Sequence, residues 1–208
     1  MRKTIHLCRR RSDIDHARYT ELLLAGHVPI ALDHHPAMRR YVVNIVEQAF
    51  VPPPQELDSV GELTFESMAD YRERLYDSKE GERIVQADVA GFMGSAASYE
   101  CTEIVHKGPP QKGPLVQRAP SRSPGVKLLL CLKRKEGMSH PQFVDYWTGH
   151  HARLVLEHGE HLARYVQNVV DGRFTPAGED YDGFAELHFA TPDDFAKQFA
   201  GHGSGPNP

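Results

Sequence analysis

The chain has 208 residues, 40% of them hydrophobic and 25% charged, and its 24 basic and 28 acidic side chains leave a formal net charge of −4. That is enough apolar material for a packed core, and a negative balance argues against a general nucleic-acid partner, whose affinity rests on neutralising phosphates. No apolar run nears the roughly 18 residues that cross a bilayer, the basic N-terminus lacks the apolar stretch of a signal peptide, and Cys8, Cys101 and Cys131 show no CxxC spacing. A cytoplasmic globular protein with buried thiols is expected, with neither disulfides nor zinc.

The sequence repeats itself. Arg40-Tyr41-Val42-Val43-Asn44 returns as Arg164-Tyr165-Val166-Gln167-Asn168, a shift of 124 residues. The same shift pairs His16 with His140, His27 with His151, His34 with His158, Asp58 with Asp182 and Glu62-Leu63 with Glu186-Leu187. Residues 4–75 match residues 128–199 at 17 of 72 positions without a gap, where composition alone yields about four or five. The chain is a tandem duplication.

Taken in chain order, the second copy opens with the apolar run Val126–Leu132, bounded by Pro124-Gly125, which reads as a buried strand. Ser139 is placed to cap a helix with Pro141 in its first turn. Along that helix Phe143, Trp147, His151, Leu154 and His158 fall on one stripe, and Gly159 can end it. Tyr165–Val170 is aromatic and β-branched, as strands prefer, and Asp171-Gly172 signals a turn. Phe184–Phe189 alternates as a further strand, and Thr191-Pro192 begins a second helix through Phe195 and Phe199. In the first copy a last strand is expected near Tyr99–Val105.

The order β-α-β-β-α-β is that of a ferredoxin-like unit, with helices on one sheet face. Burial of the other face predicts an α+β pseudo-dimer within the chain, two units packed sheet to sheet, the second without its last strand. The expected division is 1–105, a Pro/Gly/Lys-rich linker at 106–125, 126–200, and a disordered tail at 201–208. An open edge on the second unit would also permit a homodimer.

The segment Leu132-Lys133-Arg134-Lys135-Glu136-Gly137-Met138-Ser139, followed by Phe143, Tyr146-Trp147, His151-Ala152-Arg153-Leu154-Val155, Arg164-Tyr165-Val166-Gln167-Asn168 and Tyr181–Leu187, resembles the EthD family. The resemblance covers nearly all of the second copy, and the first through His27-Val28-Pro29-Ile30 and Arg40–Asn44. Arg153 stands where that family has proline, and Leu22-Leu23 where it has Tyr-Trp. The resemblance implies a dimeric α/β barrel and chemistry on a small hydrophobic or aromatic metabolite, polyketide- or quinone-like. Dehydration, isomerisation and cofactor-free oxygenation are all compatible with it, and the family is filed loosely among oxidoreductases.

The residues themselves offer His151 and His27 as proton-transfer groups, since imidazole titrates near neutrality; a structural histidine bonded to a strand carbonyl is the plain alternative. Phe143, Tyr146, Trp147, Leu154 and His158 would wall a cleft under the helix. Arg164, Tyr165 and Asn168, with Arg40, Tyr41 and Asn44 in the first copy, could hold a developing oxyanion; the arginines could instead pair with Asp58 and Asp182. Glu62 and Glu186, within strands, are either general acids or partners in structural ion pairs. No phosphate loop, dinucleotide fingerprint, nucleophile elbow or zinc spacing is present. The expectation is therefore an enzyme without metal or nucleotide cofactor, and the alternative is a non-catalytic binder using the same cleft.

Overall fold

A computed structural model describes residues 1–50, 56–108, 122–175 and 178–200. Most of the expected linker and the whole expected tail lie outside the described residues. Two compact units are present, dividing at Glu100 and Cys101; the described residues within 173–178 belong to the first and those from Glu179 on to the second.

The first unit runs β1 (Arg2–Arg10), α1 (His16–Glu21), a π-helical turn (Leu22–His27), α2 (Val28–His34), β2 (Arg40–Ile45), β3 (Ser59–Phe65), α3 (Met68–Arg74), α4 (Lys79–Phe92) and the start of β4 (Met93–Lys107). In its sheet β3 lies between β2 and β1, antiparallel to both, with β4 beyond β1. Helix starts are set locally. The Asp15, Ser67 and Ser78 side chains accept the backbone N–H of Arg18, Asp70 and Gly81, satisfying donors that a helix end leaves open.

The second unit holds the rest of β4, then β5 (Val126–Leu132), α5 (His140–Asp145), a second π turn (Tyr146–His151), α6 (Ala152–His158), β6 (Arg164–Arg173), β7 (Gly183–Phe189) and α7 (Pro192–Ala200). Here β7 lies between β6 and β5, antiparallel to both. Ser139 and Gln142 form a reciprocal capping box. Each unit is thus a ferredoxin-like α+β assembly. Among the described residues no helix is long and apolar enough to cross a membrane.

Three features depart from expectation. The helical stripe is not one continuous α-helix: in both repeats its middle six residues are π-helical, closed by bonds five residues apart, from Val28 N–H to Leu23 O and from Ala152 N–H to Trp147 O. Each π turn contains a glycine, which weakens the α-helical alternative. Asp171-Gly172 is not a turn, because β6 continues through it to Arg173 and Thr102 Oγ1 on β4 donates to Asp171 Oδ2 at 2.8 Å. And β4 is far longer than Tyr99–Val105, starting directly after α4 and crossing into the second unit.

Alternation along the strands gives each sheet two distinct faces. Cys8, Val43 and Ile45 pack with Tyr19, Leu23 and Phe92 of the helical layer, while Tyr41, Leu63 and Phe65 pack with Met38, Tyr71 and Leu75. In the second unit Tyr165, Val169, Ala185 and Phe189 meet Phe143, Trp147 and Leu162. The intervening residues, among them Glu62, Val166, Asn168 and Glu186, occupy the opposite face and are buried as well.

Candidate functional site

The second repeat builds its site from the core outward. Phe143 and Trp147 are buried, stacked at 5.2 Å between ring centres, and the Trp147 ring lies over Gly183, where a Cβ would sit 2.3 Å from a ring carbon. Only glycine admits that approach. The wholly buried Gln167 donates from Nε2 to Trp147 O at 2.9 Å and to the Tyr165 hydroxyl at 2.6 Å, while Oε1 accepts from His106 Nε2 at 2.8 Å. Every polar hydrogen of the amide is used. The π turn therefore has a fixed carbonyl at Trp147, and His151 ends that turn.

His151 borders an apolar hollow of about 240 Å³, lined also by Leu154, Val155, His158, Leu187 and Phe199. Burial, and secondarily the neighbouring His150, lower the pKa of its ring, so the imidazole is neutral near pH 7 and able to accept a proton. Among the described residues no carboxylate bonds that ring.

The equivalent His27 is arranged differently. It is buried, its Nδ1 donates to Asp88 Oδ2 at 2.8 Å, and its ring lies 5.5 Å from Phe92. Burial lowers its pKa and Asp88 works against that shift. Asp88 and Phe92 both come from α4, so in the first repeat a helix covers the imidazole that the second leaves at a hollow.

The other expected site residues are divided among four places. Leu154 and His158 join His151 at the hollow, whereas Phe143, Trp147 and Tyr165 are core and Tyr146 is exposed beside His150. Arg164, Asn168 and Glu186, like Arg40, Asn44 and Glu62, lie on the sheet face turned away from the helices, and Tyr41 lies on the helical face. The expected oxyanion holders Asn168 and Arg164 are thus on the far side of the sheet from His151, because even spacing along a strand places them opposite Tyr165.

That far face carries a repeated ion pair. Lys3 Nζ lies 2.6 Å from Glu62 Oε2, and Asn44 Nδ2 donates to Glu62 Oε1 at 2.8 Å. Lys127 lies 3.0 Å from Glu186, with Asn168 at 2.8 Å and His188 at 3.1 Å. Lys3 and Lys127 also match under the shift of 124 residues, one position before the compared window; extending that window would have found them. The pairing of Arg40 and Arg164 with Asp58 and Asp182 does not occur. Asp58 instead takes Arg10 and His16, at 2.5 and 2.8 Å, and Asp182 takes Arg134 and His140. Arg10 is the last residue of β1 and Arg134 lies two residues past the end of β5, so each guanidinium sits directly beside its carboxylate.

The family profile of the EthD domain matches residues 11–96 and 135–202. No curated protein matches the sequence. Among solved structures, an anthrone oxidase-like protein is similar with a TM-score of 0.60 and 9% identity, over 94% of this chain and 76% of that one. A provisionally named monooxygenase from Fusobacterium nucleatum subsp. nucleatum gives 0.55 and 7%, over 96% and 80%. At such identities the likeness is one of fold. With both repeats matched, the chain belongs to the EthD domain family and carries that domain twice in tandem.

Proposed function

We propose that the protein is an enzyme of the oxidoreductase type acting on a small hydrophobic or aromatic metabolite, with His151 as its proton-transfer group and the hollow beside it as the substrate site. The supporting observation is an imidazole at the rim of an apolar concavity, where burial disfavours its protonated form, on a π turn held from below by Gln167. A ring in that state takes a proton from an acidic C–H or phenol of the bound molecule; returning it at another carbon isomerises that molecule, delivering it to a departing hydroxyl dehydrates it, and reaction of the electron pair left behind with dioxygen, the oxidant, begins an oxygenation. The anthrone oxidase-like and monooxygenase neighbours are compatible with substrates of this class. A second reading, a carrier that binds without turnover, draws on the absence of Asn168 and Arg164 from the hollow.

Incubation with a panel of quinones and hydroxyaromatics, followed by mass spectrometry, separates the two readings. The enzyme reading expects a transformed compound, and His151→Ala to lower the rate by about 10²-fold or more. Turnover by His151→Ala at the wild-type rate removes His151 from the chemistry, and a ligand bound but recovered unchanged favours the carrier.

A further inference from the structure

The two repeats differ in what lies on their π turns. In the first, α4 runs back along α2 and the π turn. Gly81 at its start lies so close to His34 that a Cβ would sit 2.7 Å from the His34 ring nitrogen; Asp88 bonds His27, and Phe92 packs with Tyr19 and Leu23. Gly81, Val85, Asp88 and Phe92 follow one another at spacings of four, three and four, one stripe of a helix.

Shifted by 124 residues, the groove under that stripe is the hollow of the second repeat: His27, Ile30, Ala31 and His34 become His151, Leu154, Val155 and His158. The counterpart of α3 is α7, and among the described residues no helix of the second repeat takes the place of α4. Ala31 is 1% exposed where its counterpart Val155 is only half-buried, and Ile30 is half-buried where its counterpart Leu154 is 38% exposed. The hollow therefore has the form of a helix seat whose occupant is known from the first repeat.

We propose that the hollow of the second repeat also accepts an amphipathic helix of the α4 kind from a partner polypeptide, with a small residue against His158 and a carboxylate against His151, and that this helix and the small ligand exclude one another. Docking follows from the shared groove alone; the exclusion of ligand rests on the function proposed above. The carboxylate would accept the His151 N–H as Asp88 accepts that of His27, and Leu154 and Val155 would lose their contact with water.

The probe is the protein's own Lys79–Phe92 segment as a peptide, held helical by a side-chain lactam between the exposed positions 83 and 87, because a free helix of this length is marginal in water. Added to the full-length chain, it is expected to give saturable shifts of the Leu154, Val155 and Leu162 methyl signals while those of Ile30 stay in place. Asp88→Asn in the peptide should weaken binding on the order of tenfold, and Leu154→Glu, at an exposed position that leaves folding intact, should abolish it. No saturable shift at millimolar peptide of confirmed helicity overturns the proposal, as does equal binding by the Leu154→Glu protein. Since the readout is binding, its result is independent of whether His151→Ala changes turnover.

Discussion

The repeated ion pair offers a comparison inside one molecule. Lys3 and Glu62 have side chains only 3% and 2% exposed, with 2.6 Å between charged atoms. Lys3→Met leaves a buried carboxylate without that ammonium, and removing one partner of a buried pair costs about 3–5 kcal/mol. In the second repeat Lys127 is 17% exposed, its contact is 3.0 Å, and Glu186 keeps His188 at 3.1 Å, so Lys127→Met should cost roughly 1–3 kcal/mol. At about 2–4 °C per kcal/mol for a chain of this size, the first variant should melt about 6–20 °C below the wild type. Thermal and urea unfolding followed by circular dichroism at pH 8 measure both. A neutral Lys3→Met, or two variants equal within about 0.5 kcal/mol, refutes the assignment of a buried, tightly held pair.

Acid stability should depend on Asp58 and Asp182. Burial alone would raise both carboxyls, but the bonds from Arg10 and His16, and from Arg134 and His140, outweigh it and hold them below the usual range. Their contribution is present above about pH 4 and is lost as the pH falls through their lower folded values, so Asp58→Asn and Asp182→Asn should unfold with a shallower acid limb than wild type. Gln167→Val, which installs the residue found at the matching position of the first repeat, should cost about 2–4 kcal/mol in urea unfolding through orphaned groups on His106 and Tyr165. Gly183→Ala should cost at least about 2 kcal/mol and shift the emission of Trp147, the chain's single tryptophan, since its Cβ would meet that ring at 2.3 Å.

Much of the architecture could be read from pattern. The strand at Val126–Leu132, the Ser139 cap and the Gly159 stop are local signals, set by an apolar run between turn residues, by a side-chain oxygen accepting an N–H and by a residue that frays a helix; the burial expected of that strand is only partial, with Leu130 exposed. The π turns could not be read, because stripes of three- and four-residue spacing look alike whether or not one extra residue is wound into a turn; only the bonds from Val28 and Ala152 reveal it. The turn signal at Asp171-Gly172 was overridden by a partner from β4, a contact between residues far apart in sequence. Even spacing puts Arg164 and Asn168 on one face of the strand and Tyr165 on the other, as found; which of the two faces meets the helix that carries His151 has no local signal. Asp88, which distinguishes the two histidines, has no motif of its own, and its importance comes from the folding of α4 over His27.

Two matching imidazoles meet different surroundings, one covered by α4 and one open to a hollow. Carbethoxylation by diethyl pyrocarbonate, mapped by peptide mass spectrometry at pH 7, tests it directly, for both rings have lowered pKa values and the neutral form reacts in each. Rapid modification of His151, slow modification of His27, and protection of His151 but not of His27 by the metabolite that the panel identifies are the expected results. Equal rates at the two rings, or ligand protection at His27 instead, would contradict it.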